Sequence, residues 1–527
     1  MKHFRKILIA NRGEIAVRIA ATLREMGIAV VAVYSNPDAG ALHVRAADEA
    51  YPLEGAKSSE TYLRGDKIID IARRCGADAI HPGFGFLSEN EDFARACADA
   101  MITFIGPTPE VIRDMGDKIV AKAKFQAAGV PIVPGWSGDA HDDFNTIAGH
   151  ADRIGYPVLI KAAAGGGGKG MRVVKKPEDL AAGLESAQRE ATAAFGDGRV
   201  FLEKYLVNPR HIEVQIFGDH HGNVVHLFER ECSIQRRHQK ILEESPSPAL
   251  SPALREQICG AAVRAAKAIG YTNAGTVEFI LSESGEFYFL EVNTRLQVEH
   301  PVTEAVTQCD LVRTQVLVAA GQPLPFRQED IRQIGHAIEA RIYAEDASRN
   351  FMPSVGIIAC YEPPTGPGVR VDSGVECGSE VSVHYDPMLA KLIVHAGSRD
   401  EAIERMRRAL QNYAVLGVTT NITFLHDVVS HPEFRAGRLH THFLEQHAVR
   451  APGSAPPEEA LIAAALVATS INSHAATGPG ASRTQRAAGQ RAAGQRAAGF
   501  SPRGFSTTSD PAAVDSPWHG IGQWSNV

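Results

Sequence analysis

Short apolar segments and amphipathic segments alternate over the first part of the chain. The apolar run Lys6–Ala10 predicts a buried strand, and Ala29–Tyr34 predicts a second one. Between them, apolar residues at helical spacing predict a helix that begins near Glu14 and ends near Gly27. Because the same alternation continues along the chain, residues 1–114 predict a doubly wound parallel sheet.

The pattern changes after a helix predicted at Lys118–Ala128. Three pairs of strand-like segments follow, and each pair predicts a β-hairpin. The pairs are Val158–Lys161 with Met171–Val174, His211–Gly218 with Val224–Glu231, and Thr276–Leu281 with Glu286–Asn293. Hairpins here replace the parallel alternation, so residues 115–335 predict a second domain and a mixed α/β fold class.

Residues 336–448 predict a further α/β domain, which ends with the helix Arg399–Tyr413. The composition then changes. Glu458–Ser470 could form one apolar helix, but Gln485–Gly499 consists of QRAAG repeated three times and has no residue suited to a core. We therefore predict a linker or tail over 449–527 that is partly disordered.

The composition of the chain mainly excludes certain classes of protein. The 527 residues with a net charge of −7 predict several domains and argue against a general nucleic-acid binder. Apolar runs stay well below the ~18 residues that a membrane span needs, so no membrane partner is expected. The seven cysteines form no CxxC pair, which argues against a disulfide framework or a zinc site. The amino-terminal segment lacks the pattern of a signal peptide, and a cytoplasmic location is expected.

A run of four glycines lies between two predicted strands, in the segment Lys161–Gly170. Without Cβ atoms, the backbone N–H groups of such a run can converge on one anion, and the lysines at either end add positive charge. Neither GxGxxG nor GxxxxGK[ST] is present, so Rossmann and P-loop sites are not indicated. A flexible surface loop is the alternative for this run considered alone.

Two carboxylates lie on strands predicted to pair. Glu291 and Asn293 share one face of their strand, and Glu278 lies in the partner strand among apolar residues. Unpaired charges would be costly there, and a divalent cation bound to phosphates would satisfy them. The alternative is a solvated hairpin with its charges in water.

A basic run, CSIQRRHQK, extends from Cys232 to Lys240 and is followed by Glu243 and Glu244. The run fits a phosphate-binding patch, but an ion-paired face of a sheet fits it about as well. Considered singly, four further positions are also more ordinary as structural features: Lys118, His211, Glu203-Lys204 and Arg341.

Taken together, these segments resemble the biotin carboxylases of the ATP-grasp superfamily over roughly residues 1–448. The segments that carry the resemblance, in order, are ILIANRGEIAVRI, HPGFGFLSEN, FIGP, MGDK, GYPVLIKAAAGGGGKGMRVV, EKYLVNPRHIEVQ, QRRHQK, GTVEF, FYFLEVNTRLQVEHPVTE and EARIYAED. Other ATP-grasp ligases are expected to share the glycine run and the metal carboxylates, but not QRRHQK together with NTRLQVEHPVTE. The resemblance implies an amino-terminal domain at 1–114, an ATP-grasp domain at 115–335 with a glycine-rich lid at about 132–206, and a carboxy-terminal domain at 336–448.

The resemblance also implies a ligand set. ATP, two Mg²⁺ or Mn²⁺ ions and bicarbonate are the expected ligands, and biotin is the expected carboxyl acceptor. The metal ligands would be Glu278, Glu291 and Asn293. The residues implied in nucleotide or bicarbonate binding are Lys118, Lys161, Gly167, Gly168, Met171, Glu203, Lys204, Tyr205, Leu206, His211, Gln235, His238 and Val298.

The implied chemistry is phosphoryl transfer followed by carboxylation. Bicarbonate would be held by Lys240, Arg295 and the backbone at Gln297-Val298, with Glu299 as the general base. The carboxyphosphate formed would decay to CO₂ and phosphate in a closed site, and the phosphate would take the biotin N1 proton. Arg341 would stabilise the biotin enolate. Phe84 stands where the family often has Tyr, but none of the differences removes a charged group from this chemistry.

The expected partners are a biotin carboxyl carrier protein or domain and a carboxyltransferase subunit, with a homodimer or a larger complex implied by the family. No carrier motif such as Ala-Met-Lys-Met occurs, so we expect either a separate carrier or, by a slight preference, a shortened acyl-CoA carboxylase α subunit. Two other functions remain open. They are a non-catalytic scaffold with the same fold, and an ATP-grasp ligase with another acceptor.

Overall fold

The computed structural model describes residues 2–136, 144–163, 170–237 and 239–447. Three of the predicted site residues, Gly167, Gly168 and His238, lie outside the described residues, and so does the predicted tail at 449–527. Within the described ranges the fold is mixed α/β, as the sequence predicts.

The amino-terminal region is built on a parallel sheet of five strands in the order β3-β2-β1-β4-β5. The strands are β1 Lys6–Ile9, β2 Ala29–Tyr34, β3 Glu49–Pro52, β4 Ala79–His81 and β5 Thr103–Phe104. The helices are α1 Gly13–Glu25, α2 Leu42–Arg45, α3 Gly65–Cys75, α4 Glu91–Asp99 and α5 Pro109–Gly116. The predicted parallel sheet is therefore confirmed, and its strand order reverses direction at β1, where α/β folds commonly bind ligands.

An antiparallel sheet of four strands follows, in the order β6-β9-β7-β8. Its strands are β6 Gly135–Trp136, β7 Val158–Ala162, β8 Arg172–Val174 and β9 Val200–Lys204. The accompanying helices are α6 Lys118–Ala127, α7 Phe144–Ile154 and α8 Leu180–Phe195. Pairing of β7 with β8 confirms the first predicted hairpin, and it brings Lys161 and Arg172 to the two ends of the glycine run.

The largest sheet has eight strands, in the order β14-β13-β10-β11-β12-β15-β22-β20, and every neighbouring pair is antiparallel. The strands up to its midpoint are β10 Arg210–Gly218, β11 Val224–Arg236, β12 Gln239–Ser245, β13 Asn273–Leu281 and β14 Phe287–Asn293. The helices of this part are α9 Pro252–Ala268, α10 His300–Thr307 and α11 Leu311–Ala319. The other two predicted hairpins are present as β10–β11 and β13–β14.

This sheet continues without a break into the carboxy-terminal region, because β12 pairs directly with β15. The further strands are β15 His336–Tyr343, β16 Glu345–Asp346, β17 Met352–Pro353, β18 Gly356–Ile357, β19 Cys360–Glu362, β20 Val369–Ser373, β21 Glu380–Val381, β22 Met388–Ala396 and β23 Ala414–Leu416. The helices are α12 Arg399–Gln411, α13 Ile422–Ser430, α14 Pro432–Arg435 and α15 Phe443–Gln446. The domain boundary predicted after residue 335 thus falls inside a shared sheet, which fixes the two regions relative to each other.

The two faces of this shared part of the sheet differ in kind. On the apolar face, alternate residues such as Ile338 and Leu392 pack under α12 and α13. The opposite face, here called the charged face, presents Glu243, Glu339, Arg341, Lys391, Asp372 and Arg370 from four adjacent strands. Helix α10 lies against the charged face. In the described part of the chain, no helix is both long enough and apolar enough to cross a membrane.

Candidate active site

Three adjoining cavities lie along the large sheet. The central cavity, of about 450 Å³, is bounded by Lys240, Glu278 and Glu299. The strip cavity, of about 400 Å³, adjoins it and is bounded by the segment 203–206. The outer cavity, of about 480 Å³, lies on the other side and shares Arg295, Val298 and Arg341 with the central one.

Every predicted site residue that the structure describes lines the central or the strip cavity. Those at the central cavity are Lys118, Lys161, Met171, His211, Gln235, Lys240, Glu278, Glu291, Asn293, Arg295, Val298, Glu299 and Arg341. The strip cavity adds Glu203, Lys204, Tyr205 and Leu206. Residues separated by more than 200 positions in the sequence are thereby brought into one continuous space.

Lys240 occupies the centre of the central cavity. Its ammonium group contacts Glu213, lies 2.8 Å from Glu278 Oε1 and lies 2.8 Å from Glu299 Oε1. Burial lowers the pKa of Lys240, but the three carboxylates outweigh burial and raise it well above its usual range. The ammonium group is therefore permanently charged, and it can hold an anion rather than exchange protons.

Glu299 lies between two cations. Its Oε1 accepts from Lys240 and its Oε2 accepts from Arg341 Nη2 at 3.0 Å. Burial raises the pKa of this carboxyl, but Lys240 and Arg341 outweigh burial and hold it well below its usual range. A carboxylate that stays ionised at neutral pH has the protonation state that a general base requires.

Arg341 is oriented by a second glutamate. Its Nε donates to Glu243 Oε1 at 2.7 Å, so one guanidinium group joins Glu243 to Glu299. Burial raises the pKa of Glu243 to about 7 despite the charge of Arg341. Directly across from Glu243 on β15 lies Glu339, whose carboxylate oxygens have no hydrogen-bond partner among the described residues. Burial raises the pKa of Glu339 well above its usual range.

The predicted metal ligands do face each other. Glu278 on β13 and Glu291 on β14 are directly opposite partners, and Asn293 follows on the same face of β14. Glu278 Oε1 accepts from Lys240, from Asn293 Nδ2 at 2.7 Å and from Gln297 Nε2 at 3.0 Å. Two opposed carboxylates and an amide oxygen form the hard oxygen set that Mg²⁺ prefers, so these residues fit such an ion.

His211 adds to this cluster. Its Nε2 lies 2.8 Å from Glu278 Oε2, and its Nδ1 lies 3.1 Å from Gln235 Nε2. Burial raises the pKa of Glu278, but its contacts with Lys240 and His211 outweigh burial and lower that pKa well below its usual range. Glu213 lies within reach of the same group, so His211, Glu213 and Glu278 bring their ligand atoms within 4.8 Å of one another.

The strip cavity is organised differently. Glu203 is buried and contacts the ammonium groups of Lys122 and Lys161, the second at 3.1 Å. Burial lowers the pKa of Lys122 to about 8, although Glu203 opposes that shift. The Lys204 ammonium group donates to the carbonyl oxygen of Gly155 at 2.7 Å. Apolar side chains, among them Leu159, Val173 and Leu206, line part of the cavity.

Arg295 links the amino-terminal region to the site. Its Nε donates to Glu89 Oε2 at 2.8 Å and its Nη2 donates to Asn293 Oδ1 at 3.0 Å. Glu89 also accepts from the backbone N–H of Thr294 at 3.0 Å. A loop of the parallel-sheet region therefore orients a guanidinium group at the junction of the central and outer cavities.

Four residues that position the site were not singled out from the sequence: Glu89, Glu213, Arg230 and Glu243. Arg230 is the most enclosed of them and donates all five of its N–H groups, to Glu213, Gln215, Thr276, Gln297 and Thr303. The period of two along β10 places Glu213 on the same face as His211, which is a signal that could have identified it. The partners of Arg230 come from four separate segments, and no local pattern indicates them.

Comparison with known proteins gives consistent matches. Family models described as "Biotin carboxylase, N-terminal domain", "Carbamoyl-phosphate synthase L chain, ATP binding domain" and "Biotin carboxylase C-terminal domain" match residues 3–112, 117–327 and 339–446. The chain is 54% identical to a biotin carboxylase of Halalkalibacterium halodurans over 444 residues, which cover 84% of this chain and 98% of that protein.

Longer relatives match as well. The mitochondrial methylcrotonoyl-CoA carboxylase subunit alpha of Dictyostelium discoideum is 53% identical over 468 residues, which are 88% of this chain and 67% of that protein. For the corresponding Arabidopsis thaliana subunit the chain covers only 60% of the relative's length. The biotin carboxylase domain of a Hydrogenobacter thermophilus 2-oxoglutarate carboxylase, solved with MgADP and bicarbonate, superimposes with a TM-score of 0.82 at 49% identity, over 85% of this chain and 98% of that one.

Proposed function

The chain belongs to the biotin carboxylase family, and from that premise we propose that it uses ATP and bicarbonate to carboxylate biotin. The observation that carries the proposal is the placement of Glu299 in the central cavity between Lys240 and Arg341, where Arg341 also lines the outer cavity. One cavity suits an anion and a nucleotide phosphate, and the other suits a second substrate. A base in the first cavity that is hydrogen-bonded to Arg341, a residue of both cavities, can serve a reaction that consumes both substrates.

On the bicarbonate side, Lys240 and Arg295 supply the positive charge. Bicarbonate bound between them would lie next to Glu299, which takes its proton as the bicarbonate oxygen attacks the γ-phosphorus of ATP. ADP leaves as the bond between the γ-phosphorus and the bridging oxygen breaks, and carboxyphosphate forms. The lowered pKa of Glu299 keeps this group ionised at neutral pH, which is the form that can act as a base.

The nucleotide would occupy the strip cavity and the adjoining end of the central one. Leu206 and the backbone of 203–206 suit the adenine ring, while Lys118 and Lys161 are near enough to the central cavity to hold phosphates. Glu278, Glu291 and Asn293 would hold Mg²⁺, which when bound neutralises the charge of the phosphates. Lys118 Nζ lies 3.4 Å from Glu291 Oε2, so this lysine and the metal ligand already adjoin.

Biotin would enter from the outer cavity. Carboxyphosphate decays to CO₂ and phosphate, the phosphate takes the N1 proton of the biotin substrate, and the nitrogen then attacks CO₂. Arg341 lines both cavities and carries a permanent charge, since its carboxylate neighbours raise its pKa well above the usual range against the effect of burial. It can therefore stabilise the negative charge that develops on the acceptor.

We further propose that the chain works in a multi-subunit carboxylase, with a biotin carrier and a carboxyltransferase as partners. Its relatives support this at the level of a complex, because the Dictyostelium discoideum protein is named as a subunit. The compound finally carboxylated stays open, since relatives of similar identity are named for methylcrotonoyl-CoA and for 2-oxoglutarate. Homodimer formation and a cytoplasmic location stay predictions.

The deciding experiment measures ADP release by the purified chain with Mg²⁺ and ATP, with and without bicarbonate and with and without free biotin. Stimulation that needs both bicarbonate and biotin is the expected result. Bicarbonate-dependent ADP release that does not change when free biotin is added would indicate another acceptor or a strict need for biotin attached to its carrier protein. Absence of ADP release under all conditions would contradict the proposal and favour a non-catalytic scaffold.

A further inference from the structure

In the segment Gln297–Glu299, the carbonyl groups of Gln297 and Val298 both accept hydrogen bonds from protein side chains. The Gln297 carbonyl oxygen accepts from His300 Nδ1 at 2.7 Å, and the Val298 carbonyl oxygen accepts from Lys391 Nζ at 3.0 Å. In a planar trans peptide the N–H points away from the C=O of the same unit. The N–H groups of Val298 and Glu299 therefore point away from His300 and Lys391.

Those two N–H groups are available to a ligand. Within the described residues neither donates to a protein acceptor, and Val298 and Glu299 both line the central cavity. Consecutive backbone N–H groups presented together form a site for an anion. The side chain that fixes the second peptide unit, Lys391, contributes to the lining of none of the three cavities.

Lys391 draws its partners from three regions of the molecule. It lies on β22 in the carboxy-terminal region with none of its surface exposed, and its Nζ is 3.2 Å from Glu14 Oε2 and 3.7 Å from Asp372 Oδ2. Glu14 belongs to α1 in the amino-terminal region. Asp372 is also held by Arg370 through two bonds of 2.8 Å, so it does not depend on Lys391 for a partner.

The contact with the amino-terminal region is close. Gly374, which follows β20, packs so tightly on the first turn of α1 that an added Cβ would lie 2.6 Å from the Glu14 backbone nitrogen. Burial raises the pKa of Glu14 to about 7 despite the charge of Lys391. A lysine placed here only to neutralise Glu14 would not need to reach the Val298 carbonyl, but this one does.

We infer that Lys391 is a positioning residue for the anion substrate, which holds the peptide unit between Val298 and Glu299 so that its N–H faces bicarbonate. The inference rests on the proposed function and extends it. It links bicarbonate binding to all three regions, because the ammonium group from β22 that holds Val298 is also paired with Glu14 on α1 and Asp372 on β20.

The test compares four variants by bicarbonate-dependent ADP release at a saturating concentration of free biotin. Lys391→Met should raise the KM for bicarbonate about tenfold or more, as expected for loss of a charged hydrogen bond, and leave the KM for ATP unchanged. Because that variant also removes the ion pair of the buried Glu14, Lys391→Met is combined with Glu14→Gln. The double variant should recover the thermal stability but keep a KM for bicarbonate about tenfold above that of Glu14→Gln alone.

Lys6→Met is the matched control. The Lys6 ammonium group also contacts one carboxylate, Glu49, and one backbone carbonyl, that of Cys75, but it does so far from the cavities. This control should leave the KM for bicarbonate unchanged. A double variant with the same KM for bicarbonate as Glu14→Gln would overturn the inference, since Lys391 would then serve only to neutralise Glu14. If the unmodified chain shows no response to bicarbonate, the proposed function fails and the inference fails with it.

Discussion

The apolar and charged faces of the eight-stranded sheet are formed by the same strands but bury opposite kinds of side chain. On β15 and β22, Ile338 and Leu392 are fully buried on the apolar face, while Arg341 and Lys391 of the same two strands are buried on the charged face. Both faces are shielded from water, so solvent exposure does not explain the difference. The apolar face packs under α12 and α13, and the charged face adjoins the cavities.

Two neighbouring glutamates of β12, Glu243 and Glu244, lie on opposite faces and differ in their pKa shifts. Burial raises the pKa of Glu243, on the charged face, to about 7. Burial also raises the pKa of Glu244, but hydrogen bonds and ion pairing with His336 and Arg399 outweigh burial and lower that pKa to about 2. Glu244 pairs with both Arg399 and His336, whereas Glu243 shares Arg341 with Glu299. The charged face thus buries carboxylates that share a cation or, like Glu339, have no hydrogen-bond partner among the described residues. Such burial is costly for stability and is expected where function needs the charges.

The largest effect is expected where a charge of the central cavity is removed outright. Glu299→Gln should lower bicarbonate-dependent ADP release about 100-fold or more, because a neutral amide takes no proton from bicarbonate. ATP affinity, measured by equilibrium binding, should stay the same. Glu256→Gln, on the exposed side of α9, is the control and should have normal turnover. Normal turnover of Glu299→Gln would remove Glu299 as the base.

The apolar face should respond in the opposite way. Leu392→Ala leaves a cavity among Ile338, Met406 and their neighbours, and should cost about 2–5 kcal/mol of unfolding free energy in urea denaturation. The KM for bicarbonate and the turnover number per folded molecule should stay within about twofold at a temperature where the variant is folded, since the site lies on the other face. A variant that is stable but inactive would contradict the division between the two faces.

Arg341 separates the two half-steps of the proposed reaction. Arg341→Ala should reduce biotin-dependent ADP release about tenfold more than biotin-independent ADP release, because its charge serves the acceptor. Arg341→Lys should recover little of the loss, since one ammonium group does not reproduce the donors to both Glu243 and Glu299. Equal losses in the two assays would argue against a role at the acceptor.

The smallest effect concerns pH. The pKa of Glu243 is raised from 4.5 to about 7 in the folded chain, so the stability that its proton provides is complete below about pH 4.5 and lost as the pH rises through about 7. Glu243→Gln keeps a neutral group at every pH. Relative to the unmodified chain, this variant should therefore gain on the order of 1 kcal/mol of stability between pH 5.5 and pH 8. Melting temperatures at the two pH values measure the gain, and parallel pH profiles for both chains would show that Glu243 does not titrate in this range.

Local pattern was sufficient for most of the fold. The strand Ala29–Tyr34 was predicted to its last residue, and the three hairpins pair as expected, because side-chain alternation and turn residues act over a few positions. The continuation of one sheet from β12 into β15 was not predicted. Ninety residues, 246–335, separate these strands, and their pairing depends on how α9 to α11 fold in between.

For the candidate site as well, the sequence predicts some features and the tertiary structure decides others. From the sequence come the identities of Lys240, Glu278 and Glu299, because their motifs are contiguous and the chemistry of each side chain is intrinsic. Only the tertiary structure decides that Lys240 meets three carboxylates, that Arg230 is enclosed by partners from separate segments, and that Lys391 reaches Val298 from another region. The physical reason is that burial and charge pairing, which set the protonation state of each group, depend on neighbours that are distant in the chain and become adjacent only when the sheet forms.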